Sequence, residues 1–217
     1  MDDPNDQSLT GSIKRDVRSI VQHNVVTCPP DFSLQQATRE MFDNHCSSVV
    51  IVEGGRPIGI WTEADALKIN YDCLDQATTL IHELMSAPVS TIALDASLDE
   101  ATCLFRRNGL RHLVVVDEAE KLSGIITQSD VVIHQDVAYF LRMSEVSTIL
   151  PQQQPPQVDQ LSSLSDAISA MRASQTDCIL VTVNELPVGM LTERDVVRLI
   201  ALDQLHRPLY EVMSTPL

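Results

Sequence analysis

Basic charge is scarce in this chain of 217 residues: 15 lysines and arginines stand against 30 aspartates and glutamates, a net charge of −15. A field of that sign argues against nucleic acid or an anionic membrane surface as a partner met through general electrostatics. Any anionic ligand has to be held by local groups. Long apolar runs are missing as well. No window reaches the ~18 continuous apolar residues of a membrane span, and the N-terminal "MDDPNDQSLTGS" is polar and acidic, unlike a signal peptide. There is no Cys-x-x-Cys pair. The five cysteines, Cys28, Cys46, Cys73, Cys103 and Cys178, are an odd number and mostly sit in apolar patterns. They are expected to be buried, inert thiols in a reducing cytoplasm. The six histidines show no ligand spacing for a metal, and no Ser/His/Asp or paired-acid arrangement argues for catalysis. The expectation is a chain that is not itself an enzyme and holds no metal. With 44% hydrophobic and 21% charged residues it can bury a real core in one to three compact units.

What is present is a repeat. The stretch "GIWTEAD" at Gly59–Asp65 returns as "GIITQSD" at Gly124–Asp130 and as "GMLTERD" at Gly189–Asp195, a constant period of 65 residues. Upstream of each glycine lies the same order of elements. Helical patterns begin at Ser33, Ser97 and Ser163, each a plausible N-cap with Leu next and Ala three beyond that Leu. β-rich runs follow from Ser47, His112 and Cys178, then a turn, then a second apolar strand that ends in the repeated motif. Another helix comes after the motif. The predicted unit is strand, helix, strand, strand, helix, an α+β (mixed α/β) fold.

A short lead-in precedes the first strand of each unit: "DVRSIVQHNVVT", "LIHELMSAPVST" and "EVSTILPQQQPPQV". A fourth copy, "PLYEVMSTPL", closes the sequence. The chain therefore reads as a frayed tail at 1–12, units at 13–77, 78–143 and 144–206, and the start of a truncated fourth unit at 207–217. The proline-rich stretch from Pro151 reads as a local loop within the third lead-in.

These residues resemble the CBS (cystathionine β-synthase) domain, whose signature is an apolar strand ending in Gly-h-h-Thr/Ser-x-x-Asp before the last helix, h being apolar. The resemblance implies that units one and two pair through their sheets, as a Bateman module with clefts for adenosine-containing ligands. It leaves unit three to pair with a fourth unit or another chain. It implies ligand contacts from Thr62, Asp65, Thr127, Asp130, Thr192 and Asp195, and from Arg111 and His112 just before the second strand of unit two, with Arg106 and Arg107 about a turn upstream. Units one and three, with Ser47-Ser48 and Cys178-Ile179 at the matching place, depart from the basic pattern.

Local physics supplies a competing account of the motif. Thr-x-x-Asp before an apolar helix can be a capping box, although that box prefers Glu or Gln at its third position. A helix N-terminus also carries free N–H groups and a partial positive charge, so a phosphate or ribose fits beside its cap. Two functions follow as expectations. The first is a cytoplasmic signal-transduction module that binds AMP, ADP, ATP or S-adenosylmethionine, pairs as a homodimer and controls an attached effector domain. The second is a ligand-free dimerisation scaffold in which the motif only caps helices. Trp61 alternates with Thr62 on a strand and is expected in core or interface packing.

Overall fold

The structure, a computed structural model, describes residues 16–134 and 155–215. The tail at 1–12, the opening of the proline-rich loop, most of the third lead-in and the last two residues lie outside the described residues.

Unit one runs β1 (Thr27–Cys28), α1 (Leu34–Asp43), β2 (Ser48–Glu53), β3 (Arg56–Thr62) and α2 (Glu63–Ala66), followed by a short helix α3 (Ile81–Leu84) in the second lead-in. Unit two runs β4 (Thr91–Ala93), α4 (Leu98–Asn108), β5 (His112–Val116), β6 (Leu122–Thr127) and α5 (Gln128–His134). Unit three runs β7 (Gln157–Asp159), α6 (Leu164–Ser174), β8 (Cys178–Val183), β9 (Leu186–Thr192) and α7 (Glu193–Ala201), with a last short helix α8 (Leu209–Val212). Each unit builds a three-stranded sheet in which the first strand is parallel to the second and the second antiparallel to the third. The expected mixed α/β repeat is the observed one.

The helices start where the serines place them. Ser33, Ser97 and Ser163 are N-caps whose side chains accept from the amides of Gln36, Glu100 and Asp166, satisfying one orphan donor of each first turn. The alanines three beyond the leading Leu, Ala37, Ala101 and Ala167, are fully buried, because that spacing puts both residues on the face turned to the sheet.

The motif glycine has a steric reason. A lead-in segment crosses each third strand at that point, bonded both ways through Ser86 and Ile60, Gln22 and Ile125, and Ser214 and Met190. A Cβ at Gly59 or Gly189 would collide with the side chain of Met85 or Met213, and one at Gly124 with the Gln22 carbonyl. The lead-ins are also exchanged between units one and two. Val17 and Ile20, ahead of the first strand of unit one, belong to the core of unit two, while Ile81, ahead of the first strand of unit two, belongs to that of unit one.

Two seams join the units. Units one and two meet sheet to sheet over Val50, Val114 and Ile125, flanked by Val25, Ile60 and Val116. Units one and three meet helix to helix, with α1 and α2 against α7. Their apolar residues form one continuous core that includes Ala37, Met41 and Trp61 from unit one and Val196, Leu199 and Ile200 from unit three. Arg172 on α6 ties this seam by donating from Nε to the Leu67 carbonyl at 2.6 Å and from Nη2 to the Ile69 carbonyl at 2.9 Å. The sequence reading left unit three without a partner among the other units; the structure gives it one through helices, in addition to any pairing of its sheet.

Trp61 is fully buried in the shared core, as its strand position predicts. The cysteines are a correction. Cys28 is buried, its thiol pushed up to about 12 chiefly by burial, but Cys73 and Cys103 are exposed, because the helix and loop positions they occupy face away from the sheets.

Candidate functional site

The three Thr-x-x-Asp elements fold alike. In each, one carboxylate oxygen of the aspartate accepts from both the amide and the hydroxyl of the threonine. For Asp65 these bonds from Thr62 are 2.9 and 2.7 Å, for Asp130 from Thr127 2.8 and 2.7 Å, and for Asp195 from Thr192 3.0 and 2.8 Å. The shorter acid thus closes on the cap hydroxyl as well as the cap amide.

The second oxygen distinguishes the copies. In unit one, Asp65 Oδ1 accepts from Lys68 Nζ at 2.7 Å and from Ser86 Oγ at 3.5 Å. In unit three, Asp195 Oδ1 accepts from Arg198 Nη2 at 3.0 Å and from Ser214 Oγ at 3.2 Å. A cation one turn on and a lead-in serine therefore saturate both of these buried aspartates. In unit two the residue one turn on is Ile133, and Asp130 Oδ1 accepts from Gln22 Nε2 at 2.9 Å. Asp130 is half-buried, and its partner is neutral.

Beside Asp130 lies a cleft of about 280 Å³ lined by Ser47, Glu63, Arg111, His112, Thr127, Gln128 and Ser129. It opens where the sheet seam of units one and two reaches the ends of the second strands. Ser47 and His112, one repeat period apart in sequence, face each other across it with Oγ and Nε2 at 2.9 Å. Burial, reinforced by the Arg111 charge and opposed by Asp65 and Asp130, lowers His112 to about 4. Although it belongs to the basic pattern of unit two, His112 is therefore neutral near pH 7 and offers a hydrogen bond without a charge.

The cation of the cleft is Arg111, and it is already engaged. Its Nη2 lies 2.7 Å from Oε2 of Glu193, which reaches over from unit three with its side chain 10% exposed. Glu63, in the cleft wall, is held from unit three in turn by Arg194 Nε at 2.9 Å. Two acids and two arginines thus alternate across the place where all three units meet.

The structure brings Arg111, His112 and Thr127 into one cleft with Asp130 behind them, and Asp65 close enough to act on His112. It places Asp195 elsewhere, in the wall of a second cleft of about 170 Å³ at the helix seam, with Met41, Cys46, Arg194 and Arg198. Arg106 and Arg107 close the last turn of α4 and do not line the main cleft. Sequence reasoning missed Glu63 and Glu193. Each follows its cap threonine directly, a position that signals only a favourable acid at a helix start, and nothing in the chain order pairs Glu193 with an arginine 82 residues earlier.

Among the described residues no group of three or more His, Cys, Asp and Glu is placed to hold a metal ion, and no helix is long and apolar enough to cross a membrane.

The family model described as the CBS domain matches residues 17–72, 81–135 and 146–202. An uncharacterized protein of Methanopyrus kandleri is 33% identical over 117 residues, which are 53% of this chain and 60% of that protein. Inosine-5'-monophosphate dehydrogenase of Korarchaeum cryptofilum is 24% identical over 64% of this chain, but the match spans 28% of the enzyme's own length. Among solved structures, the Methanocaldococcus jannaschii protein described as a proposed archaeal homologue of γ-AMPK superposes with a TM-score of 0.72 at 18% identity, covering 92% of this chain and 82% of its own. A CBS domain protein of Pyrobaculum aerophilum, solved in complex with AMP, gives a TM-score of 0.52 at 19% identity over 60% of this chain and 100% of its own. Three matched copies across most of the chain, each with its sheet and its capped motif in place, mean that this chain belongs to the CBS domain family.

Proposed function

We propose that this chain is a regulatory sensor that binds an adenosine-containing ligand in the cleft between units one and two. The observation that carries this reading is the convergence of Thr127, His112, Ser47 and Arg111 on one cavity beside Asp130, the motif aspartate whose second oxygen has no cationic partner among the described residues. Asp130 and Thr127 are suited to ribose hydroxyls, and the neutral His112 and Ser47 offer polar contacts without charge. The volume lies at the lower end of small-molecule sites and suits a nucleoside-sized ligand. The AMP complex of the Pyrobaculum relative supports the ligand class.

In units one and three the saturated aspartates favour the cap-only reading, so Thr62, Asp65, Thr192 and Asp195 serve mainly to start their helices. The signal would pass to an effector, attached or associated, in the reducing cytoplasm, by a shift between two arrangements of the paired units. In this reading the chain acts on the ligand by binding, and pairing with a second copy would complete the assembly.

A thermal-shift panel of adenosine, AMP, ADP, ATP and S-adenosylmethionine on the full chain tests this. A ligand at about 100 times its dissociation constant adds about 2.7 kcal/mol. Asp130→Ala is expected to remove that gain at an intrinsic cost near that of a lost cap, roughly 1 kcal/mol. Absence of any shift across the panel would overturn the reading.

A further inference from the structure

The arginine that gives the cleft its positive charge already carries a carboxylate. Arg111 is bonded to Glu193, which arrives from α7 of unit three; among the described residues unit three adds none to the cleft wall itself, so Glu193 acts on the cleft through Arg111. The Glu193 side chain is mostly buried and Arg111 is its one bonded cation among the described residues, whereas Arg111 is about half exposed. Separating them would leave a carboxylate stranded in the seam, a large penalty for any competitor of Arg111 to overcome.

The surrounding charges have the same sense. Four carboxylates, Glu63, Glu193, Asp65 and Asp130, surround the cleft, and Arg194, Arg111 and Lys68 neutralise the first three. Asp130 is bonded to the neutral Gln22, and His112 carries no charge near pH 7. Among the described residues the balance of these groups is negative before any ligand enters. Bringing in a phosphate would add like charge where a ribose or a sulfonium would not.

We propose that Glu193 is a specificity-determining residue for the cleft: by pairing with Arg111 it competes with a phosphate for that arginine and favours adenosyl compounds without phosphate, either uncharged or positively charged. This rests on the reading of the cleft as an adenosyl site. It makes unit three part of a binding site that units one and two otherwise build alone.

The test is calorimetric titration of the full chain and of Glu193→Gln with adenosine, S-adenosylmethionine, AMP and ATP. The glutamine keeps the size and a hydrogen bond to Arg111 while removing the charge. The unsubstituted chain is expected to bind adenosine or S-adenosylmethionine more tightly than AMP or ATP. Glu193→Gln is expected to tighten AMP and ATP by about tenfold or more and to leave adenosine within about twofold, as removal of one facing charge predicts. A second measurement needs no variant: added salt should leave AMP binding to the unsubstituted chain unchanged or improve it, since screening relieves repulsion. Preference of the unsubstituted chain for AMP or ATP, or an unchanged ratio in Glu193→Gln, would overturn the role of Glu193 and leave the adenosyl site standing. No binding of any of the four to either protein would overturn both.

Discussion

The two seams of this molecule use opposite faces of the same repeat. Between units one and two the sheets meet over small β-branched residues, and the contact runs out where the strands end and the helices begin, leaving a polar gap that becomes the cleft. Between units one and three the helices meet, and two sheet-and-helix cores merge into one. The matching sheet residues show the difference: Val50 and Val114 are fully buried, while Leu180, at the same position of unit three, stays partly exposed. A sheet seam leaves a cleft; a helix seam makes a shared core and can deliver a side chain, Glu193, to the arginine of its neighbour's cleft.

The sharpest way to break this contrast is at the helix seam. Ile200 on α7 is fully buried in the core that units one and three share. Ile200→Ala is expected to cost about 2–5 kcal/mol, through lost burial and the cavity left behind. Chemical denaturation should show units one and three unfolding in one transition, and a cost no larger than that of a surface substitution would mean that the seam is not a fused core.

The sheet seam should instead be sensitive to acid. The folded value for His112, about 4, lies below its ordinary value near 6.5, so between these limits the unfolded chain binds more protons than the folded one. The contribution of His112 is fully present above about pH 6.5 and is lost as the pH falls through the window, by on the order of 2 kcal/mol. Stability measured against pH for the chain and for His112→Gln isolates this part, because glutamine carries no titrating group at that position. The variant's curve should be the flatter one across this range.

The smallest effect is expected at the outer rim of the same seam. Arg56 in unit one lies 3.2 Å from Glu120 in unit two, but the two side chains are 60% and 76% exposed. Solvent screens such a pair, and Arg56→Ala should change stability by less than about 0.5 kcal/mol. A larger loss in a double-mutant cycle with Glu120→Ala would show that the rim, and not only the apolar strip over Val50 and Val114, holds the sheets together.

Much of the repeat was legible in the chain. Ser33, Ser97 and Ser163 cap their helices as their spacing from Leu and Ala predicts, because capping and amphipathic periodicity are settled within a dozen residues. The motif glycines were visible as a pattern, but their cause was not: the lead-in that crosses Gly124 comes from another unit, about 100 residues earlier. The site was legible in the same proportion. Thr127, Asp130, Arg111 and His112 could be picked out, yet the charge state of His112 depends on burial between two units, and the partner of Arg111 lies in a third.

The sequence by itself determined the unit: its strand and helix order, its caps, the place of its glycine and the threefold recurrence, because each of these is local and repeats with the residues that cause it. Only the tertiary structure decided which faces meet, which aspartate keeps an oxygen away from a cation, and that Glu193 lies on Arg111. Those outcomes depend on contacts between copies whose patterns are nearly alike, and a period of 65 residues says that the copies are equivalent without saying which sides they turn to one another.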